Sequence, residues 1–123
     1  MNLNQLDLIV TDVPAATIFV RDVLGVEPAY ADERFAEFRL GAVTLMLSPD
    51  ALVPMTRAGG MILHLEVADV GEAIARARQA GAEVLREPAP TDWGWESAMI
   101  AGPDGSVIDF YRFLPTEGDS TTA

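Results

Sequence analysis

The 123-residue chain has no cysteine, no lysine and a single histidine. Without cysteine there can be no disulfide framework, no thiolate metal site and no thiol nucleophile. All eight basic residues are arginine, set against nineteen acidic ones, which leaves a formal net charge of −11. Duplex nucleic acid and anionic membrane surfaces attract clustered basic residues, so a chain this acidic repels both and draws in cationic partners instead. No stretch approaches the roughly 20 apolar residues that cross a bilayer. The start, MNLNQLDLIV, lacks the basic patch and apolar run of a signal peptide, so the expectation is a cytoplasmic protein. There is no G-x-S-x-G elbow, no phosphate-cradling glycine loop and no second histidine for a triad.

What the chain does have is an internal repeat. Val10, Asp12, Val13 and Ala16 recur as Val67, Asp69, Val70 and Ala73 at a shift of 57, and one deletion then brings Gly25 onto Gly81. Further on, GAVTLML from Gly41 resembles GSVIDFY from Gly105 at a shift of 64. In each copy an alternating segment comes first, the period-two signature of a half-buried strand. Asp12 and Asp69 follow as helix N-caps, with Pro14 in the first turn where its missing N–H costs nothing. Helices are predicted over 14–24 and 71–80, ending at Gly25 and Gly81 in left-handed caps, with Val70, Ala73, Ile74, Ala77 and Ala80 as the buried stripe of the second. Short β-rich pieces follow at 27–31, 34–40 and 42–47, and again at 83–86, 96–100 and 106–113, with a turn at Gly102-Pro103-Asp104-Gly105.

The fold class is therefore α+β: two tandem β-α-β-β-β modules forming a curved eight-stranded trough, helices on its outer face. The modules occupy 1–48 and 60–114, joined by a linker over 49–59 and followed by a flexible tail over 115–123, all in one structural domain. Alternation puts Leu6, Leu8, Val10, Leu63, Leu65 and Val67 toward the core, and Gln5, Asp7, Ile9, Ile62, His64 and Glu66 toward the trough.

Two such halves, each with a V-x-D-V strand-to-helix join, and the segment WGWESAMIAGPDGSVIDFY resemble the vicinal oxygen chelate superfamily, which holds glyoxalases, extradiol dioxygenases and bleomycin-binding proteins. The resemblance covers nearly the whole chain. It implies metal ligands at Gln5, Leu45, Ile62 and Asp109; Leu45 and Ile62 cannot ligate, which leaves two oxygen donors and a weak site. The chain is thereby more similar to the bleomycin-resistance branch, whose members are small, acidic, metal-free homodimers that sequester a cationic drug. The expected function is binding of a small cationic or aromatic organic molecule with no cofactor. The alternative keeps a divalent metal ion on Gln5 or Asp7, His64 and Asp109, with Glu66 beside them, and makes the chain a metal-dependent lyase or oxidoreductase.

A cationic ligand with planar rings needs carboxylates to steer it and aromatic faces to stack upon. On the trough side the carboxylates are Asp7, Glu66 and Asp109, with His64 among them. Trp93 and Trp95 bracket Gly94, and Tyr111 shares a face with Asp109. Phe35 and Phe38 lie on opposite faces of one strand, so one of the two reaches the trough, and Phe38 is carried as the candidate. Glu66 also has a simpler reading, as partner of an arginine such as Arg112.

Overall fold

Each helix begins at an aspartate whose extended backbone turns its carboxylate onto the first helical turn. Asp12 accepts from the Ala15 N–H and Asp69 from the Glu72 N–H, both at 3.0 Å. From these caps run α1 (Val13–Val23) and α2 (Val70–Gln79). Gly25 and Gly81 follow at φ 72° and 89°, the left-handed conformation that glycine adopts without strain. In the computed structural model residues 1–54 and 60–115 are described; part of the expected linker, 55–59, and most of the expected tail, 116–123, lie outside them.

The chain divides into two compact units, Met1–Met61 with Gly102–Ser106, and Ile62–Ala101 with Val107 onward. The first unit holds β1 (Gln5–Ile9), α1, β2 (Tyr30–Ala31), β3 (Ala36–Leu40) and β4 (Val43–Ser48), in the sheet order β1-β4-β3-β2. The β1–β4 pair is parallel, and the other pairs are antiparallel. The second unit repeats this plan with β5 (Ile62–Glu66), α2, β6 (Val84–Pro90), β7 (Trp95–Ala101) and β8 (Val107–Phe113), in the order β5-β8-β7-β6. Among the described residues no helix is long and apolar enough to cross a membrane.

The first core joins Val13, Ala16 and Val20 of α1 to Leu8, Ala36, Phe38, Leu45 and Leu47 of the sheet. In the second unit Val70, Ile74 and Ala77 cover Ala98, Ile100, Ile108 and Phe110. Ala80 is exposed at the cap, not part of the buried stripe. Leu63 and Leu65 are only half-buried, because β5 is an edge strand. The piece expected over 27–31 shrinks to Tyr30–Ala31. The piece expected over 83–86 instead extends to Pro90, with register shifts around Arg86 and Ala89; prolines at 88 and 90 are tolerated because β6 is also an edge. The turn at 103–105 is one 3-10 turn in which Asp104, at φ 52°, accepts hydrogen bonds from the Thr11 N–H and hydroxyl.

Strand pairing corrects two expectations. Gln5 pairs with Thr44 and Ile62 with Val107, so the last strands correspond at a shift of 63, not 64. The two glycines used to align them occupy different turns: Gly41 lies between antiparallel strands and Gly105 ends the 3-10 turn. The counterpart of Asp109 is therefore Met46, which pairs with Asp7, while Leu45 faces the helix and is buried. Phe38 lies opposite Leu45 and is fully buried at 0 % exposure. It fills the core under α1 and is no ligand-facing residue; Phe35 lies just before β3 rather than on it, and packs beside Tyr30.

Candidate functional site

A sheet covered by one helix turns its other face outward, and on the second sheet that face carries the chemistry. Successive side chains on a strand alternate faces. The central strand β8 thus presents Asp109, Tyr111 and Phe113 on the side away from Ile108 and Phe110. Neighbouring β5 supplies His64 opposite Asp109 and Glu66 opposite Tyr111. Neighbouring β7 supplies Ser97 opposite Tyr111 and Trp95 opposite Phe113.

At one end of this face is a polar trio. Asp109 is 1 % exposed, and its two oxygens have separate partners. Oδ2 lies 2.6 Å from Nδ1 of His64, and Oδ1 accepts from the Ser97 hydroxyl at 2.5 Å. A carboxylate taken out of water needs such partners, because an unpaired buried charge costs several kcal/mol. In a neutral imidazole, a carboxylate accepting on this side calls for the proton on Nδ1 and leaves Nε2 as the acceptor. The imidazole is not enclosed: 45 % of the side chain is exposed.

At the other end is an aromatic array. The rings of Trp95 and Tyr111 stack with centroids 4.0 Å apart and planes 21° apart. Phe113 meets both edge-on, at 6.1 and 5.6 Å, and His64 meets them edge-on at 5.6 and 6.3 Å. Trp93 joins from the turn before β7, 6.0 Å from Trp95 and 64 % exposed. That turn is tied by the Trp95 N–H to the Thr91 hydroxyl and the Leu114 N–H to the Gly94 carbonyl, with Gly94 at φ 90°.

The structure therefore brings His64, Glu66, Trp95, Asp109 and Tyr111 onto one sheet, with Trp93 beside them on the turn before β7. Asp7 and Gln5 are exposed on the corresponding face of the first sheet, opposite Met46 and Thr44. Phe38 is withdrawn into the core. Arg112 pairs with Glu96 at 2.7 Å, and among the described residues Glu66 has no ion-pair partner. Ser97 and Phe113 were missed as site residues, although their signal is plain: Trp95 and Ser97, like Asp109, Tyr111 and Phe113, recur at period two.

The ligand positions implied for a metal do not suit one in the second unit. Ile62 offers hydrocarbon, and His64 Nδ1 is engaged by Asp109. Nε2 of His64, the carboxylate of Glu66 and the lone pairs that Asp109 keeps beside its bonds to His64 and Ser97 are the donors on this sheet, where a divalent ion asks for three or four protein ligands. The counterpart on the first sheet, Met46, is a weak thioether donor.

A family model described as the Glyoxalase/Bleomycin resistance protein/Dioxygenase superfamily matches residues 2–110. No curated protein matches the chain. Among solved structures, one described as a "conserved domain protein" is 45% identical, with 92% of this chain and 99% of that one covered and a TM-score of 0.84. A glyoxalase-related enzyme from Fulvimarina pelagi is 21% identical, covering 91% and 88%, with a TM-score of 0.80. TioX from Micromonospora sp. ML1 is also 21% identical, covering 93% and 100%, with a TM-score of 0.74. At such identities the last two speak for the shared fold alone.

Proposed function

We propose that this chain, which belongs to the glyoxalase/bleomycin resistance protein/dioxygenase superfamily, binds a small planar aromatic cation, without a metal, on the outward face of its second sheet. The observation that carries this reading is the Trp95–Tyr111 stack, standing on a sheet face and extended by Trp93 and Phe113. Trp95 and Tyr111 are half-buried while Trp93 and Phe113 are exposed, and a contiguous apolar patch of this kind marks a binding site. A flat ring laid on them gains about 0.5–1.5 kcal/mol per stacked pair beyond the area it buries.

Charge selects the sign of the ligand. Ring faces attract cations, by about 0.5–2 kcal/mol depending on desolvation. The carboxylate of Glu66, which has no ion-pair partner among the described residues, stands opposite Tyr111 on the same face. The net charge of −11 raises the local concentration of cations and repels anions. The same resemblance to the bleomycin-binding branch carries a homodimer with it, which sedimentation of the purified protein tests.

Titrating the protein with N-methylacridinium, with tryptophan emission as readout, tests the reading. Saturable quenching is expected, weakening as salt rises, with a neutral acridine analogue binding less tightly. No saturable quenching, or equal affinity for cation and neutral analogue, overturns it.

A further inference from the structure

We infer that the ligand is elongated and amphiphilic: its planar cationic ring lies on the Trp95–Tyr111 stack, and an aliphatic chain runs from it along β8 to a second apolar patch, made by Ile62, Met99, Ala101 and Val107 at the other end of the same face. The inference rests on the binding face proposed above and gives its ligand a length and a chemical class.

Strand register defines the second patch. Val107 lies two residues before Asp109 on β8 and so shares its face. Its partners across the ladders are Ile62 on β5 and Ala101 on β7, while Met99 stands opposite Asp109. Ile62 is 45 % exposed, and the other three are half-buried. Arg86, opposite Met99, reaches the other way along the strands: its Nη1 donates to the Ser97 carbonyl at 3.1 Å and its Nη2 to the Pro90 carbonyl at 3.5 Å. From Val107 to Tyr111 the strand advances by about 13 Å, at roughly 3.3 Å per residue.

The repeat supplies an internal comparison. Strand pairing puts Gln5, Glu37, Arg39 and Thr44 of the first sheet at the places of Ile62, Met99, Ala101 and Val107. All four are polar, and Arg39 pairs with Glu37 at 3.8 Å. This sheet pattern therefore does not call for hydrocarbon at that end. An open apolar patch kept in only one of the two copies answers to something bound there.

One ligand can span both ends, because the polar belt between them is readily covered. Asp109 and Ser97 are 1 % and 0 % exposed and are bonded to each other, so a chain passing over them strips no water from an open charge. His64 stands to one side, on the edge strand β5. The central strand β8 thus offers a continuous track, with rings at Tyr111 and Phe113 and hydrocarbon at Val107. The ligand class is a planar aromatic cation bearing an aliphatic chain.

Acridinium salts carrying N-methyl, N-butyl and N-octyl chains serve as probes, below the concentrations at which they aggregate, with tryptophan quenching as readout. A methylene taken wholly out of water tightens binding about fourfold, so a chain that lies partly on the patch should make the octyl salt bind at least about tenfold more tightly than the methyl salt, with the butyl salt between them. Ile62→Ser combined with Val107→Thr should reduce that gain to about twofold or less, while the methyl salt keeps its wild-type affinity within about twofold. Ile62→Ser alone, at an exposed edge position, should remove part of the gain, so the outcome does not hang on the folding of the double variant. Equal affinity for the methyl and octyl salts overturns the inference and leaves the binding reading standing. A gain retained in full by the variants also overturns it, since the chain then lies elsewhere. Absence of saturable quenching by any of the salts removes the binding reading and this inference with it.

Discussion

Trp95 and Tyr111 stack at 4.0 Å although they are not cross-strand partners: the residue opposite Trp95 is Phe113, and the residue opposite Tyr111 is Ser97. Diagonal neighbours on antiparallel strands are within reach of long side chains. The contact closes because Ser97 is small and its hydroxyl leans to Asp109, so that nothing bulky stands between the indole and the phenol. One serine thus serves the carboxylate on one side and leaves room for the stack on the other.

Removing that hydroxyl separates the two effects. Ser97→Ala takes the donor from a carboxylate oxygen that is buried, at a cost of about 1–3 kcal/mol, while leaving space for the rings. Urea unfolding should show a lower midpoint with unchanged slope, and near-ultraviolet circular dichroism should keep the aromatic signature. An unchanged midpoint speaks against the Asp109 network as a stabilising element.

Phe38 distinguishes core from site. It is buried among Leu8, Leu45 and the α1 side chains, so Phe38→Ala should cost about 3–5 kcal/mol. Phe38→Leu should fold and bind the acridinium ligand as the parent does. A folded Phe38→Leu protein with clearly weakened binding contradicts the placement of this ring.

The two N-caps act in separate units and should act independently. Asp12→Ala and Asp69→Ala each release one hydrogen bond to a helical N–H and should each cost about 1 kcal/mol. In the double variant the costs should sum to within about 0.5 kcal/mol, since the sites share no partner. Chemical denaturation of the three variants checks this, and strong non-additivity counts against independent caps.

The turn beside β2 should respond to acid. Asp32 is held below the ordinary aspartate value, first by the Tyr30 hydroxyl and then by the Arg34 N–H; the same contact with Asp32 pushes the Tyr30 phenol up. A depressed carboxyl contributes order fully above its unfolded-state value and loses it as pH falls through the folded one. The Arg34 and Phe35 amides, both bonded to Asp32, should therefore shift together with a midpoint below that of a free aspartate. Proton-detected titration of these amides reads it, and a midpoint at or above the ordinary value contradicts it.

Much of the fold was legible because its signals are local. Asp12 and Asp69 open helices, Gly25 and Gly81 close them, and alternation assigns the faces of β1 and β5. What was not legible depends on pairing. The GA and GS turns look alike in sequence, yet the ladder shifts one of them by a residue, which exchanges Leu45 for Met46 on the outward face. A shift of one residue reverses every side chain, so no sequence likeness short of the hydrogen-bond register decides it. The face of Phe38 was likewise open, since alternation along a strand gives the period and not which face meets the helix. The Asp109–Ser97 contact is diagonal between strands, and no spacing within either strand announces it.

Calorimetric titration of N-methylacridinium into the wild-type protein and into Trp95→Ala tests the central claim most directly. The account predicts one saturable site per chain in the wild type and at least a tenfold loss of affinity in Trp95→Ala, about 1.4 kcal/mol. Equal affinity in the two proteins, with Trp95→Ala folded, contradicts it.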